Sequence, residues 1–196
     1  MSETRVPVVR LFSRREVLGL ATGIGAAALP IGRSFAASPP VASRPIPRTG
    51  ERLPVIGLGT AIVFDVGSDA AKRSERSAVI RTMIEGGARL IDTAPSYGTA
   101  EDVLGDLLAA MGWRDRIFLA TKVRVAGPDA SVAEMRRSLE RLRTGRVDLM
   151  QLHNVREASA DLRVLREWRD KGFARYVGIT STQPNTYDDL AEVIRR

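Results

Sequence analysis

The chain has 196 residues, 44% hydrophobic and 27% charged, which gives length for one globular domain with a buried core and a short appendage. Its net charge of +7 would suit a nucleic-acid partner. However, five arginines against two acids fall in the first 36 residues, the rest holds 25 basic against 21 acidic residues, and no aromatic-interleaved basic stripe occurs, so no nucleic-acid binding is expected. With no cysteine and one histidine, disulfides, thiolate chemistry and a histidine-built zinc site are excluded.

The chain opens with Ser13-Arg14-Arg15-Glu16-Val17-Leu18, a weakly apolar run to about Ile31, and then the small-residue stretch Ser34-Phe35-Ala36-Ala37. That order is basic region, apolar region and cleavage site. The arginine pair resembles a twin-arginine (Tat) export signal, although Val17 stands where that signal usually carries Phe; the resemblance implies the Tat machinery as a partner and a periplasmic mature protein. The signal is taken as residues 1–36, with cleavage after Ala36. The apolar run, broken by Gly19, Gly23 and Gly25, is too short for a bilayer, so no stable membrane span is expected after cleavage. Residues 37–48, with Pro39, Pro40, Pro45 and Pro47, read as an extended tether.

From residue 49 onward the pattern is regular. Thr49-Gly50-Glu51-Arg52 reads as a turn before a strand over residues 53–60, giving a small N-terminal β-hairpin. A helix is expected over 69–85 with Ala71, Ala78, Val79, Thr82 and Met83 on its apolar face, stopped by Gly86-Gly87. Residues 88–92 form the first of four core strands. Thr99 then caps a helix whose inward face is Val103, Leu104, Leu107 and Leu108. Residues 117–121 are the second strand. Ser131 with Glu134 reads as a capping box opening a helix with Val132, Met135, Leu139 and Leu142 inward. Residues 147–152 are the third strand, a helix with Leu162, Leu165 and Trp168 ends at Lys171-Gly172, and residues 176–180 are the fourth strand. A last helix starts at Asp188.

Strands alternating with amphipathic helices indicate an α/β fold with parallel strands. A doubly wound sheet fits that order as well. Asp92, Lys122 and His153 each fall at the C-terminal end of a different strand, where barrel enzymes keep their chemistry, and this favours a (β/α)8 barrel with about the first four β/α units present.

Asp92-Thr93-Ala94-Pro95-Ser96-Tyr97-Gly98, Thr121-Lys122 and Leu152-His153-Asn154 together resemble the tetrad of the aldo/keto reductase family. So do Gly57-Leu58-Gly59-Thr60, Gly87-Ala88-Arg89-Leu90-Ile91, Glu101 with Leu104-Gly105-Asp106-Leu107-Leu108, and Ser138-Leu139-Glu140-Arg141-Leu142 before Val147-Asp148-Leu149. The resemblance runs over residues 49–196 and reads as the N-terminal half of such a domain. It implies an oxidoreductase that reduces an aldehyde or ketone to an alcohol by hydride transfer from NADPH, with NADH as the alternative cofactor.

Hydride reduction needs a proton donor where the carbonyl oxygen becomes an alkoxide. The resemblance assigns this to Tyr97. A phenol is a weak acid, and the ammonium of Lys122 would favour its ionised form; Asp92 would keep Lys122 charged and oriented, and His153 would hydrogen-bond the carbonyl oxygen. For the cofactor it implies Gly59, Thr60 and Asp92 near the nicotinamide, with Thr180-Ser181 at the place where the family usually has Ser-Asn. No metal is required. No Gly-x-Gly-x-x-Gly fingerprint occurs, as the resemblance also implies.

Two other readings stay open: a cofactor-binding regulatory partner on the same fold, and a truncated inactive fragment. A half barrel with open sheet edges is also expected either to self-associate or to form a poorly packed monomer.

Overall fold

The computed structural model describes residues 41–124, 127–154 and 158–195. The export signal expected over residues 1–36 lies outside them.

The chain enters through an antiparallel hairpin, β1 (Ser43–Pro45) with β2 (Arg52–Pro54), in the register Ser43↔Pro54 and Pro45↔Arg52. Part of the segment expected to be a tether is therefore a strand. It is held by its own ladder and by Arg52, whose Nε donates to Ser43 Oγ at 3.1 Å and whose Nη2 donates to the Ser43 carbonyl at 2.8 Å. The expected strand over 53–60 divides in two. Pro54, which has no N–H to continue a ladder, ends the hairpin strand, and β3 (Gly57–Gly59) leaves it to join a different sheet.

That sheet has five parallel strands in the order β3-β4-β5-β6-β7, with β4 at Leu90–Asp92, β5 at Phe118–Val123, β6 at Val147–His153 and β7 at Ala174–Thr180. The parallel strands are therefore five and not the expected four, the additional one being β3 from the segment expected to lie in the hairpin. Each strand pairs with the next in the chain. A doubly wound sheet would reverse its order at a switch point, and these strands do not.

Helices α1 (Ala70–Glu85), α2 (Ala100–Met111), α3 (Pro128–Arg141) and α4 (Ala158–Asp170) connect them, and α5 (Tyr187–Arg195) follows β7. Asp69 caps α1, its side chain accepting from Lys72 N at 3.0 Å. The buried stripe of α1 is Ile80 and Ile84, not the expected face: Ala71, Ala78, Val79 and Thr82 are exposed. Helix α3 begins a turn before the expected capping box, because Pro128 supplies a fixed φ at the first helical position; Ser131 is buried inside the helix, and Glu134 accepts from Arg124 N at 2.6 Å.

Side-chain alternation sorts the sheet into two faces. Ile91, Leu119, Val123, Met150 and Leu152 are buried in one core with Val103, Leu104 and Leu108 of α2, Met135 and Leu139 of α3, and Val164, Leu165 and Trp168 of α4. Glu101 of α2 is buried on this side, where its carboxylate accepts from Thr121 Oγ1 at 2.6 Å, Ser138 Oγ at 3.2 Å, and Arg141 Nε and Nη2 at 2.8 and 2.6 Å. Beside it, Gly105 lets α2 close onto the end of α3, since a Cβ there would collide with the Arg141 carbonyl. The opposite face carries Leu90, Asp92, Phe118, Lys122, Leu149, Gln151, His153, Tyr176 and Thr180, placed together by the strand register.

Candidate active site

The register that fills the second face gathers its polar residues at the C-terminal ends of the strands. Asp92 ends β4, Lys122 lies one residue short of the end of β5, His153 ends β6 and Thr180 ends β7. The Lys122 ammonium donates to Asp92 Oδ2 at 2.5 Å and to the Thr93 carbonyl at 3.0 Å. Its side chain is 6% exposed, that of Asp92 32%. Burial of this kind holds an ammonium only when it is paired, and both of its partners come from the end of β4.

Tyr97 arrives from the turn after β4. Its ring centroid lies 5.0 Å from Lys122 Nζ, and its ring meets that of His153 edge-on, with centroids 6.1 Å apart and planes at 89°. The turn is fastened from outside: the Asp65 carboxylate accepts from Thr99 N at 2.9 Å and Thr99 Oγ1 at 2.8 Å, and Thr99 Oγ1 accepts from Gly67 N at 2.9 Å. These donors hold the Asp65 carboxyl below its ordinary pKa. Thr99 stands at the N-cap position of α2, but its hydroxyl is spent on this link and not on the helix. Gly98 makes the link possible. Its φ is +60°, and a Cβ would collide with the Asp65 carboxylate.

His153 is half-buried, and its pKa is lowered, first by loss of water and then by the positive charges of Lys122 and Arg124. Its Nδ1 is buried with no hydrogen-bond partner among the described residues, as is Thr93 Oγ1. Both causes disfavour the charged imidazolium beside the Lys122 ammonium.

The residues expected to hold a cofactor line the same end of the sheet. Gly59 pairs with Asp92, and the space where its side chain would be is empty of protein atoms within 4 Å. Thr60 is fully buried, with its N–H and its hydroxyl both 3.0 Å from the Asp92 carbonyl. Thr180 pairs with His153, whereas the Ser181 hydroxyl is shared with Thr186 Oγ1 at 2.6 Å and accepts from Gln183 N at 3.1 Å. The structure thus brings Asp92, Tyr97, Lys122 and His153 together and sets Gly59, Thr60 and Thr180 beside them, while the Ser181 hydroxyl is engaged in its own loop.

Sequence reasoning missed Gln151, whose Nε2 donates to Asp92 Oδ1 at 3.2 Å. The signal was present: Gln151 stands two residues before His153 in one strand, hence on the same face. Among the described residues there is no group of carboxylates and histidines able to hold a metal ion, and no helix is long and apolar enough to cross a membrane.

Residues 55–195 match the model of the aldo/keto reductase family. The chain is 31% identical over 160 residues to the aldo-keto reductase YhdN of Bacillus subtilis, covering 74% of this chain and 48% of that protein. It is 41% identical over 105 residues to the methylglyoxal reductase YeaE of Escherichia coli, covering 52% and 35%. A crystal structure of an aldo-keto reductase from Klebsiella pneumoniae in complex with NADPH superposes with a TM-score of 0.65 at 29% identity, covering 75% of this chain and 51% of the other. The chain spans about half the length of these proteins or less. With this match and this strand order, the chain belongs to the aldo/keto reductase family.

Proposed function

We propose that the chain carries the catalytic cluster of an NADPH-dependent carbonyl reductase, in which Tyr97 protonates the oxygen of an aldehyde or ketone as it becomes an alcohol. The observation that carries the reading is the buried Lys122 ammonium, fixed by Asp92 at 2.5 Å with the Tyr97 ring 5.0 Å away. The NADPH of the Klebsiella neighbour and the methylglyoxal named for the E. coli relative support the cofactor and the substrate class. NADH is the alternative cofactor.

The residues present fit a nicotinamide: Gly59 leaves free space at the sheet end, and Thr60 and Asp92 border it. When bound, the reduced cofactor supplies the hydride. Tyr97 would then give its proton to the substrate oxygen, and the Lys122 ammonium would stabilise the phenolate left behind. Asp92 keeps Lys122 in place. A neutral His153 carries one proton, and because Nδ1 is buried without an acceptor, that proton belongs on Nε2, from which it would be donated to the same oxygen. Tyr97→Phe in the complete enzyme is expected to lower kcat by about 10²–10⁴ with NADPH affinity unchanged. Steady-state kinetics with near-wild-type kcat would remove Tyr97 from the role.

The full fold on this reading is a (β/α)8 barrel, of which these strands form one continuous part, with the remaining staves supplied by further chain or by a second copy. Sedimentation with a nicotinamide-fluorescence titration tests this on the 196-residue form, for which self-association or a poorly packed monomer is expected, in either case with weak NADPH binding and negligible turnover. A monomer that binds NADPH at micromolar levels and reduces a test aldehyde would overturn it. Export by the Tat pathway to the periplasm is proposed from Arg14-Arg15 and the segment after them. Changing both arginines to lysine should block processing, and equal mature protein outside the cytoplasm would refute it.

A further inference from the structure

At the end of the sheet opposite the Asp92–Lys122 cluster, the chain builds a second polar site. A cavity of about 200 Å³ is bordered by the hairpin and the N-terminal ends of β4 to β7, and six arginines line it against three carboxylates. Two of those carboxylates are already neutralised. Asp148, which is 5% exposed, accepts from Arg114 Nη2 at 3.1 Å, Arg175 Nη1 at 2.8 Å and Leu119 N at 2.8 Å; Glu51 takes the other side of Arg175 at 2.5 Å and the Tyr176 hydroxyl at 2.5 Å. That network fixes the cavity wall; the third carboxylate, Asp115, is exposed and makes no ion pair among the described residues.

The other four guanidiniums, of Arg52, Arg89, Arg116 and Arg146, make no ion pair with a described carboxylate. Arg52 bonds Ser43, Arg116 lies 4.5 Å over the Trp113 ring, and Arg89 and Arg146 are exposed. They come from the hairpin and from the residues just before β4, β5 and β6, and all four line this one cavity. Guanidinium forks suit phosphate oxygens. We propose that this cavity is an anion site for a small phosphate-bearing molecule of two or more charges, separate from the reductase cluster. Phe118 and Lys122, near opposite ends of β5, are four residues and about 13 Å apart, too far for an anion of pyrophosphate size to reach both sites.

The probe is inorganic pyrophosphate, added to the 196-residue protein at low ionic strength and followed by calorimetry and thermal melting. Pyrophosphate should bind more tightly than sulfate, weaken with salt and raise the melting temperature. Arg89→Gln with Arg146→Gln, which removes no described hydrogen bond, should lower its affinity by roughly tenfold or more while leaving the melting temperature without ligand unchanged. Lys122→Met should leave pyrophosphate affinity unaltered. Binding no stronger than sulfate, binding retained in the double arginine variant, or binding lost with Lys122→Met would each overturn the site.

Discussion

Breaking the Asp92–Lys122 pair should cost much more from one side than from the other. Asp92→Ala leaves an ammonium whose side chain is 6% exposed with the Thr93 carbonyl as its remaining partner, and an uncompensated buried charge costs about 3–5 kcal/mol. Lys122→Met keeps the length and apolar contacts of the stem and leaves a carboxylate that is 32% exposed. Water and the Gln151 amide at 3.2 Å can satisfy it, so the loss is about 1 kcal/mol or less. The difference of about 2–4 kcal/mol corresponds to roughly 5–15 °C in melting temperature for a chain of this size. Urea unfolding at pH 7, followed by far-UV circular dichroism on the 196-residue protein and both variants, measures it. Equal losses, or Lys122→Met as the more damaging change, would refute the burial argument, because both substitutions break the same contact and differ in which charge is stranded.

His153 gives a pH dependence of definite sign. Its pKa in the folded protein is lowered, first by burial and then by Lys122 and Arg124, so the unfolded chain binds its proton first. The stability this represents is complete above about pH 6.5, the unfolded value, and is lost as pH falls through the lowered one. Urea midpoints should therefore drop on acidification in the native protein and less steeply in His153→Gln; identical slopes would exclude His153 as the titrating group. Glu101→Ala should destabilise by about 3 kcal/mol, the low end for a buried pair because Arg141 is 28% exposed, and should be strongly coupled to Arg141→Ala in a double-mutant cycle. Additive losses would show that Glu101 and Arg141 do not act as a pair.

What the sequence made legible was whatever local pattern dictates. Helix α2 shows its inward face because Val103, Leu104 and Leu108 repeat at helical spacing, and these three are buried. Helix α1 did not. Its two isoleucines sit among small and charged residues, and Ala78, Val79 and Thr82 offer a rival stripe that instead lines a shallow groove with Val41 and Ile56. Gly57–Gly59 could not be assigned to the parallel sheet from its own residues, since its membership depends on pairing with Leu90–Asp92, more than thirty positions on. The same limit applies to Asp65. Nothing beside it in the chain announces a role, and its partner Thr99 becomes visible only when two loops are brought together. The motifs at the ends of β4, β5 and β6 were legible because together they match one family's pattern in order and spacing, whereas each residue alone has an ordinary reading and the distances among them were not visible.

Those distances follow from register. Asp92 lies opposite Ala120, Lys122 opposite Gln151, and His153 opposite Thr180. From β4 to β5 the functional residue therefore climbs two positions, and from β5 to β6 it climbs two more. A climb of two keeps every side chain on one face, whereas a climb of one would put Lys122 where Thr121 is, against the helices and the buried Glu101. Each step also raises the side chain by about 6.6 Å along the strand. Only a long side chain can reach back across that rise, and both residues at the middle level are long: Lys122 folds down onto Asp92 Oδ2 and Gln151 onto Oδ1. The carboxylate thus forms the floor of the cluster and the ammonium its middle. His153 forms the top, where Tyr97 meets it from the neighbouring turn. A short residue at position 122 would leave Asp92 out of reach of any cation in this face, which is why the chemistry reads as a lysine on β5 and as nothing smaller.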